Sequence, residues 1–182
     1  MKVLRLFVVA VCGLAVIASI GLFRAGNVNA QSSDPTQAGI STLKEKIDAL
    51  KRQMPDQAHA MSDVDYHFSN LWFAVQNANW PLAEFYLGET RSHLKWAVRL
   101  RPVRRLSSGQ ELDLRSVLQG IESSTLAEIK ASIEKRDIKG FESAYRSTMA
   151  QCYGCHMAAE KPYLRPHIPE FPATRMIDLR PN

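Results

Sequence analysis

The sequence lacks the marks of a β-sheet protein. No stretch alternates apolar and polar residues over the length of a strand, and no Gly-rich turn joins two such stretches. Alternation with a period of two is the signal of a half-buried strand, whereas apolar residues three and four positions apart indicate a helix. Because only the second pattern is present, the sequence predicts an all-α fold.

Motifs for catalysis are also missing. The chain offers no Ser/His/Asp set, no phosphate-binding loop and no paired-carboxylate motif that can be placed on the predicted helices. Internal repeats are absent as well. We therefore expect a binding or electron-transfer protein rather than an enzyme.

Long apolar runs are limited to one, between Leu6 and Phe23, and it contains one of only three cysteines, Cys12. Basic residues precede this run and small residues follow it up to Ala30, which is the layout of a secretory signal peptide. We expect cleavage of residues 1–30 and a periplasmic location. The alternative is an uncleaved membrane anchor, because the 18 residues of the run reach about the shortest length that spans a bilayer.

An excess of charge is lacking too. The formal net charge of +5 falls to +2 without the predicted signal peptide, which holds Lys2, Arg5 and Arg24 and no acid. So small a charge argues against nucleic acid as a partner.

The remaining chain divides into three predicted parts. Residues 31–39 are small and polar and predict a flexible spacer, and residues 40–160 carry the helical pattern. Residues 161–182 contain five prolines among apolar side chains, which predicts an extended strap on the helical domain, with a disordered tail as the alternative.

The helical pattern predicts one shorter N-terminal helix and four long helices, which most simply form a four-helix bundle. Pro55 and Pro102 are expected to end helices. The long helices are expected to begin at capping residues, namely Ser62, Asn79, Ser107 or Ser108, and Asp137.

The two cysteines outside the predicted signal peptide stand in the pattern C-x-x-C-H, as Cys152, Cys155 and His156. This is the attachment signature of c-type haem. In a helix these three positions share one face, so two thiols can bind the vinyl groups of one haem while the imidazole reaches the iron. We predict one covalent haem c with His156 as the proximal iron ligand, its other ring nitrogen donating to a backbone carbonyl or to water.

Three other interpretations compete for these cysteines. A disulfide would not need His156, a thioredoxin-like redox pair would need a βαβ setting, and a zinc site would need a fourth ligand.

The place of the motif, at the end of the last predicted bundle helix, resembles that of the class II c-type cytochromes, the cytochrome c-prime type. The resemblance rests on the segment from Cys152 to His156 and on the helix count, and it covers about residues 60–160. It implies a four-helix bundle, covalent haem c and the proximal role of His156. The chain departs from the family in the 26 residues that follow His156 and in its N-terminal helix sequence.

The second iron ligand is left open by the sequence. His67 is the first candidate because it stands beside Phe68 and near Trp72 on a predicted bundle helix. An empty distal position is an alternative. Other candidate ligands are His59, Met61, His93, Met149, His167 and Met176.

Three functions fit a periplasmic haem protein. The first is the transfer of single electrons between redox partners, with an acidic partner docking on the basic run from Arg91 to Arg105. The second is the binding of small gases such as NO or CO at an open distal site. The third is service as the haem subunit of a larger oxidoreductase complex.

Overall fold

The computed structural model describes residues 35–181, which form six helices and one two-stranded antiparallel sheet. The chain is therefore predominantly helical, as the all-α prediction requires. The predicted signal peptide, Cys12, the first part of the predicted spacer and Asn182 lie outside the described residues. Among residues 35–181, every helix falls short of the length or the apolar content that crossing a bilayer requires.

The first helix, α1, spans Pro35–Gln53 and ends before Pro55. It carries the apolar residues Ile40, Leu43 and Ile47 at spacings of three and four. Residues 35–39, predicted as spacer, are helical. The chain divides after Arg52 into two compact units, the second of which contains the remaining elements.

The next two helices, α2 (Gln57–Gln76) and α3 (Trp80–Leu100), pack against each other along their length. The predicted start of α2 at Ser62 is wrong, because the carboxylate of Asp56 already accepts the backbone N–H of His59 at 2.9 Å and caps an earlier turn. The predicted start of α3 is confirmed. The side chain of Asn79 accepts the N–H of Leu82.

Two three-residue strands, β1 (Val103–Arg105) and β2 (Glu111–Asp113), form a hairpin after α3. The backbone N–H of Leu114 closes it by donating to the carbonyl of Pro102 at 2.9 Å. The prediction that Ser107 or Ser108 caps a long helix is therefore wrong. Strands of three residues are too short to display the period-two pattern.

The third of the four predicted long helices is divided into two helices, α4 (Leu114–Ser123) and α5 (Thr125–Glu134). Asp113 caps α4. The break lies at Ser124, whose hydroxyl donates to the carbonyl of Gly120 at 2.7 Å. Ser123 likewise donates to the carbonyl of Gln119. Such bonds offer the backbone an alternative to the helical ladder, which accounts for the interruption.

The last helix, α6 (Ile138–Ala158), begins at the predicted cap, because the side chain of Asp137 accepts the N–H of Gly140 at 3.0 Å. A Cβ at position 140 would collide with this capping carboxylate. The helix packs mainly on α5 and also contacts α2 and α4. Its buried Tyr145 stacks on Phe68 of α2 with ring centroids 4.2 Å apart.

Residues 161–181 contain no helix and no strand, yet they contact the helices. The side chain of Asn70 accepts the N–H of Thr174 at 3.0 Å, and that of Asn79 donates to the carbonyl of Arg180 at 3.0 Å. Leu179 is buried within the main hydrophobic core. The C-terminal segment is thus fixed on α2 and on the start of α3.

Candidate functional site

The C-x-x-C-H motif occupies the last two turns of α6. Cys152, Cys155 and His156 are all half-buried, so the face that they share is neither sealed in the core nor fully in solvent. The two thiols are free rather than joined in a disulfide. Because positions three and four apart lie on one side of a helix, the three side chains can act on one planar group.

The imidazole of His156 is held by the segment that follows α6. Its Nδ1 lies 2.6 Å from the carbonyl oxygen of Leu164. A turn after the helix brings this carbonyl back, with the N–H of Lys161 bound to the carbonyl of His156 and the N–H of Leu164 bound to that of Lys161. A carbonyl only accepts, so Nδ1 is the donor and Nε2 keeps its lone pair for a metal.

Burial raises the pKa values of both thiols. It raises the pKa of Cys152 to about 11, with the neighbouring Cys155 adding to the shift. The pKa of Cys155 is also raised by burial, against the opposing charge of Arg104. Redox-active cysteine pairs of the thioredoxin type have lowered pKa values. The raised values therefore speak against that interpretation.

Arg104 of β1 is drawn towards the end of α6. Its Nη2 donates to Gln57 Oε1 at 3.1 Å, and its charge acts on the pKa of both Cys155 and Glu160. Its Nε is buried and has no hydrogen-bond partner within residues 35–181. A buried donor without a partner costs free energy, and an anionic group beside Cys155 would satisfy it.

Glu160 ties the hairpin to the end of α6. Its carboxylate accepts the N–H of Ser107 at 2.9 Å and also the Ser107 hydroxyl. These hydrogen bonds, helped by the charge of Arg104, lower the pKa of Glu160. The contact keeps β1, and with it Arg104, next to the motif.

Aromatic side chains lie close to the motif. Tyr145, two turns before Cys152, is buried, and its pKa is raised first by that burial and then by Cys152 and Asp65. Its hydroxyl donates to the carbonyl of Phe68 at 3.0 Å, and Trp72 lies against its ring. An apolar, aromatic neighbourhood suits the apolar face of a porphyrin.

His67 belongs to a different group of side chains. Its ring contacts are to Tyr66 of α2 and to Tyr86 and His93 of α3. Arg104, which acts on the motif, contacts α2 at Gln57. Gln57 lies ten residues before His67, so His67 is about 15 Å further along the axis of α2. Burial and the proximity of His93 lower the pKa of His67, against the opposing charges of Glu89 and Asp63.

The pattern that marks this second group was present in the sequence. Asp63 and His67 are four apart on α2, and Glu89 and His93 are four apart on α3. Each pair lies on one face of its helix. Only the packing of α2 against α3 shows that the two faces meet, so the pairs did not stand out as a cluster.

The other candidate iron ligands differ in how far their side chains are exposed to solvent. His59 and His167 are exposed, and Nδ1 of His167 contacts the carbonyl of the adjacent Ile168. Met176 is 94% exposed. Met61 and Met149 are half-buried, and Met149 packs against the hydrophobic core.

The basic run from Arg91 to Arg105 is partly neutralised. Arg91 and Lys95 both approach the carboxylate of Glu122, at 3.4 and 3.2 Å. Arg104 turns inwards, as described above. The positive charge that remains exposed comes from Arg99, Arg101 and Arg105.

The chain matches no protein-family model, no curated protein and no solved structure. Inferences about its chemistry therefore depend on its own residues.

Proposed function

We propose that this protein is an exported monohaem c-type cytochrome that carries single electrons between periplasmic redox partners. The observation that carries the proposal is the 2.6 Å contact between Nδ1 of His156 and the carbonyl of Leu164. A histidine that ligates a metal usually donates its other ring nitrogen to a carbonyl or carboxylate. The contact gives His156 such an acceptor, in the same motif whose two cysteines are free.

The residues around the motif fit a covalent haem. Cys152 and Cys155 would hold it through thioether bonds, and His156 would bind the iron through Nε2. The unpaired Nε of Arg104 would donate to a propionate. Arg165, whose guanidinium lies 5.3 Å from the ring centre of Tyr153, would serve the same purpose. When bound, haem c supplies a reversible one-electron iron couple.

The helices are consistent with a bundle of the cytochrome c-prime type. We propose that the four helices of this bundle are α2, α3, the interrupted helix formed by α4 and α5, and α6. Support comes from the packing of α2 on α3 and of α5 on α6, together with the contacts of α2 and α4 with α6. The motif on the last helix corresponds to the class II arrangement that the sequence resembles.

Electron transfer is favoured by where the motif lies. Cys152, Cys155 and His156 are half-buried rather than enclosed, so a group attached there would present an edge to a partner protein. We propose that an acidic partner docks on the exposed Arg99, Arg101 and Arg105, since complementary charge accelerates encounter. Arg99 lies in the last turn of α3, Arg101 directly follows that helix, and Arg105 lies in β1 beside Arg104.

Gas binding is the second candidate function, and the position of His67 favours it. Its contacts run to Glu89 and His93 rather than to the motif. If His67 does not reach the iron, the distal position is open to NO or CO unless another candidate ligand fills it.

One spectroscopic experiment tests these proposals. The purified protein is examined by visible absorption, oxidised and reduced, with and without carbon monoxide. A low-spin spectrum indifferent to carbon monoxide supports electron transfer, and a high-spin spectrum that shifts supports gas binding. The double variant Cys152→Ala/Cys155→Ala should lose the haem band on a denaturing gel. Absence of haem from the protein expressed with a c-type maturation system would overturn both candidates.

A further inference from the structure

Two carboxylate–histidine pairs face each other between α2 and α3. Asp63 and His67 form the pair on α2, and Glu89 and His93 form the pair on α3. One ligand atom from each of His67, Glu89 and His93 lies within 4.8 Å of the others. All three residues are half-buried, so an ion can enter from solvent and still be partly shielded from it.

The imidazole of His93 lies between two carboxylates. Its Nε2 is 3.7 Å from Glu89 Oε2, and its Nδ1 is 3.3 Å from Asp63 Oδ2. Nδ1 makes no hydrogen bond within residues 35–181. If Nε2 faces an ion that Glu89 also binds, a small rotation of the ring would let Nδ1 donate to Asp63 on its far side. That order of carboxylate, histidine and metal is the usual way in which proteins orient a ligating imidazole.

His67 supplies the observation that calls for a ligand. Its Nδ1 is buried and has no hydrogen-bond partner in the part of the chain that the structure describes. Its ring is tilted by 31° to that of His93, with centroids 4.9 Å apart. A buried nitrogen without a partner is unfavourable, and an ion placed between the two rings would bind its lone pair.

We propose that His67, Glu89 and His93 bind a divalent transition metal ion, with Zn²⁺ as the best match, and that Asp63 orients His93. Two imidazole nitrogens and one carboxylate oxygen are ligands that Zn²⁺ prefers, whereas Mg²⁺ and Ca²⁺ prefer oxygen alone. Each ligand atom around Zn²⁺ lies about 2.0–2.2 Å from it, so small side-chain rotations would bring these three to one ion. Three protein ligands leave a fourth position for water.

The experiment is a titration of the full-length protein, carrying its haem and no polyhistidine tag, with ZnCl₂ after removal of metal by a chelator. Isothermal titration calorimetry should give one Zn²⁺ per chain. Titration with Co²⁺ should produce the visible absorption of a four-coordinate nitrogen and oxygen site. The absence of saturable binding would overturn the proposal and leave His93 as a histidine that lies between the carboxylates of Glu89 and Asp63.

Variants locate the site. His67→Gln and Glu89→Gln should each weaken binding of Zn²⁺ at least about tenfold, and Asp63→Asn about tenfold as the loss of an orienting partner. His59→Gln and His167→Gln, which change exposed histidines elsewhere, should leave the affinity unchanged. If His67→Gln does not fold, Glu89→Gln and Asp63→Asn still decide the matter. Unchanged affinity in both would overturn the proposal.

The haem spectrum separates this proposal from the one above. His67→Gln should leave the visible spectrum of the iron as it is. Conversion from low spin to high spin in that variant would instead make His67 an iron ligand and overturn the metal site. The double variant Cys152→Ala/Cys155→Ala should still bind one Zn²⁺, whether or not the protein carries haem.

Discussion

Nδ1 of His156 and the carbonyl oxygen of Leu164 lie 2.6 Å apart, although Leu164 is outside the helix that carries the motif. The carbonyl is brought there by a turn in which the N–H of Leu164 donates to the carbonyl of Lys161 at 3.0 Å. The orientation of the imidazole therefore depends on a residue that the motif itself does not include.

The variant Leu164→Pro tests this dependence. Proline removes the donor that closes the turn, so the carbonyl should move away from His156. A weaker hydrogen bond makes the imidazole less basic, and the reduction potential of the haem should rise. Redox titration measures the change, with Leu164→Ala as the control because it keeps the N–H. Equal potentials for the two variants would show that the turn does not orient His156.

The hydroxyl of Tyr145 is predicted to stabilise the packing of α6 on α2. Tyr145→Phe removes the donor to the carbonyl of Phe68 and should lower the free energy of unfolding by about 1 kcal/mol. Denaturation in urea measures the loss. Tyr163→Phe is the matched control, because Tyr163 is 72% exposed, and an equal loss there would contradict the assignment.

Glu160 is predicted to make stability depend on pH. Its pKa is lowered in the folded chain by hydrogen bonds from Ser107, so its contribution is present above the unfolded pKa, about 4.3, and is lost as the pH falls through the folded value. Glu160→Gln should be less stable than the natural protein at pH 7, and the difference should begin to shrink at about pH 4.3 and disappear only below the lowered folded pKa.

Denaturation curves recorded between these pH values measure that difference. Glu170→Gln changes an exposed glutamate of the same C-terminal segment and should show no comparable trend. A difference for Glu160→Gln that persisted in acid would mean that the contact with Ser107 does not depend on the charge of the carboxylate.

The exposed arginines are predicted to act on association with a redox partner. Arg99, Arg101 and Arg105 changed together to Gln should slow electron exchange with an acidic redox protein by about tenfold or more at low salt. The effect should fade as salt is added. The control removes three charges elsewhere, at the exposed Lys135, Arg136 and Lys139. Equal slowing in both variants would indicate a general effect of net charge.

Much of the helical framework could be read from the sequence. Asn79 and Asp137 have short polar side chains directly before apolar helical patterns, and both cap helices. The starts that the sequence misplaced lie where another group competed, as at Asp56 and at the break of Ser124. The hairpin of β1 and β2 was missed because its strands are only three residues each.

The candidate site likewise has some features that the sequence predicts and others that depend on the fold. The common face of Cys152, Cys155 and His156 follows from helical spacing alone. The expectation of an acceptor at the second nitrogen of His156 follows from its predicted role as a metal ligand. That the acceptor is Leu164, or that Arg104 turns towards Cys155, depends on how the chain returns after α3 and α6. Such long-range placements leave no local pattern in the sequence.

The turn after α6 also bears on the order in which synthesis, folding and the proposed binding of haem would occur. A chain that ends before Leu164 already contains both thiols and the histidine, but it lacks the carbonyl that accepts from Nδ1 of the imidazole. Residues 161–181 are the last described part to be synthesised, and they hold Leu164 as well as the contacts to Asn70 and Asn79. If haem binds as proposed, its covalent attachment and its ligation by a correctly oriented His156 would be separate stages, and the second would require the C-terminal segment to fold back.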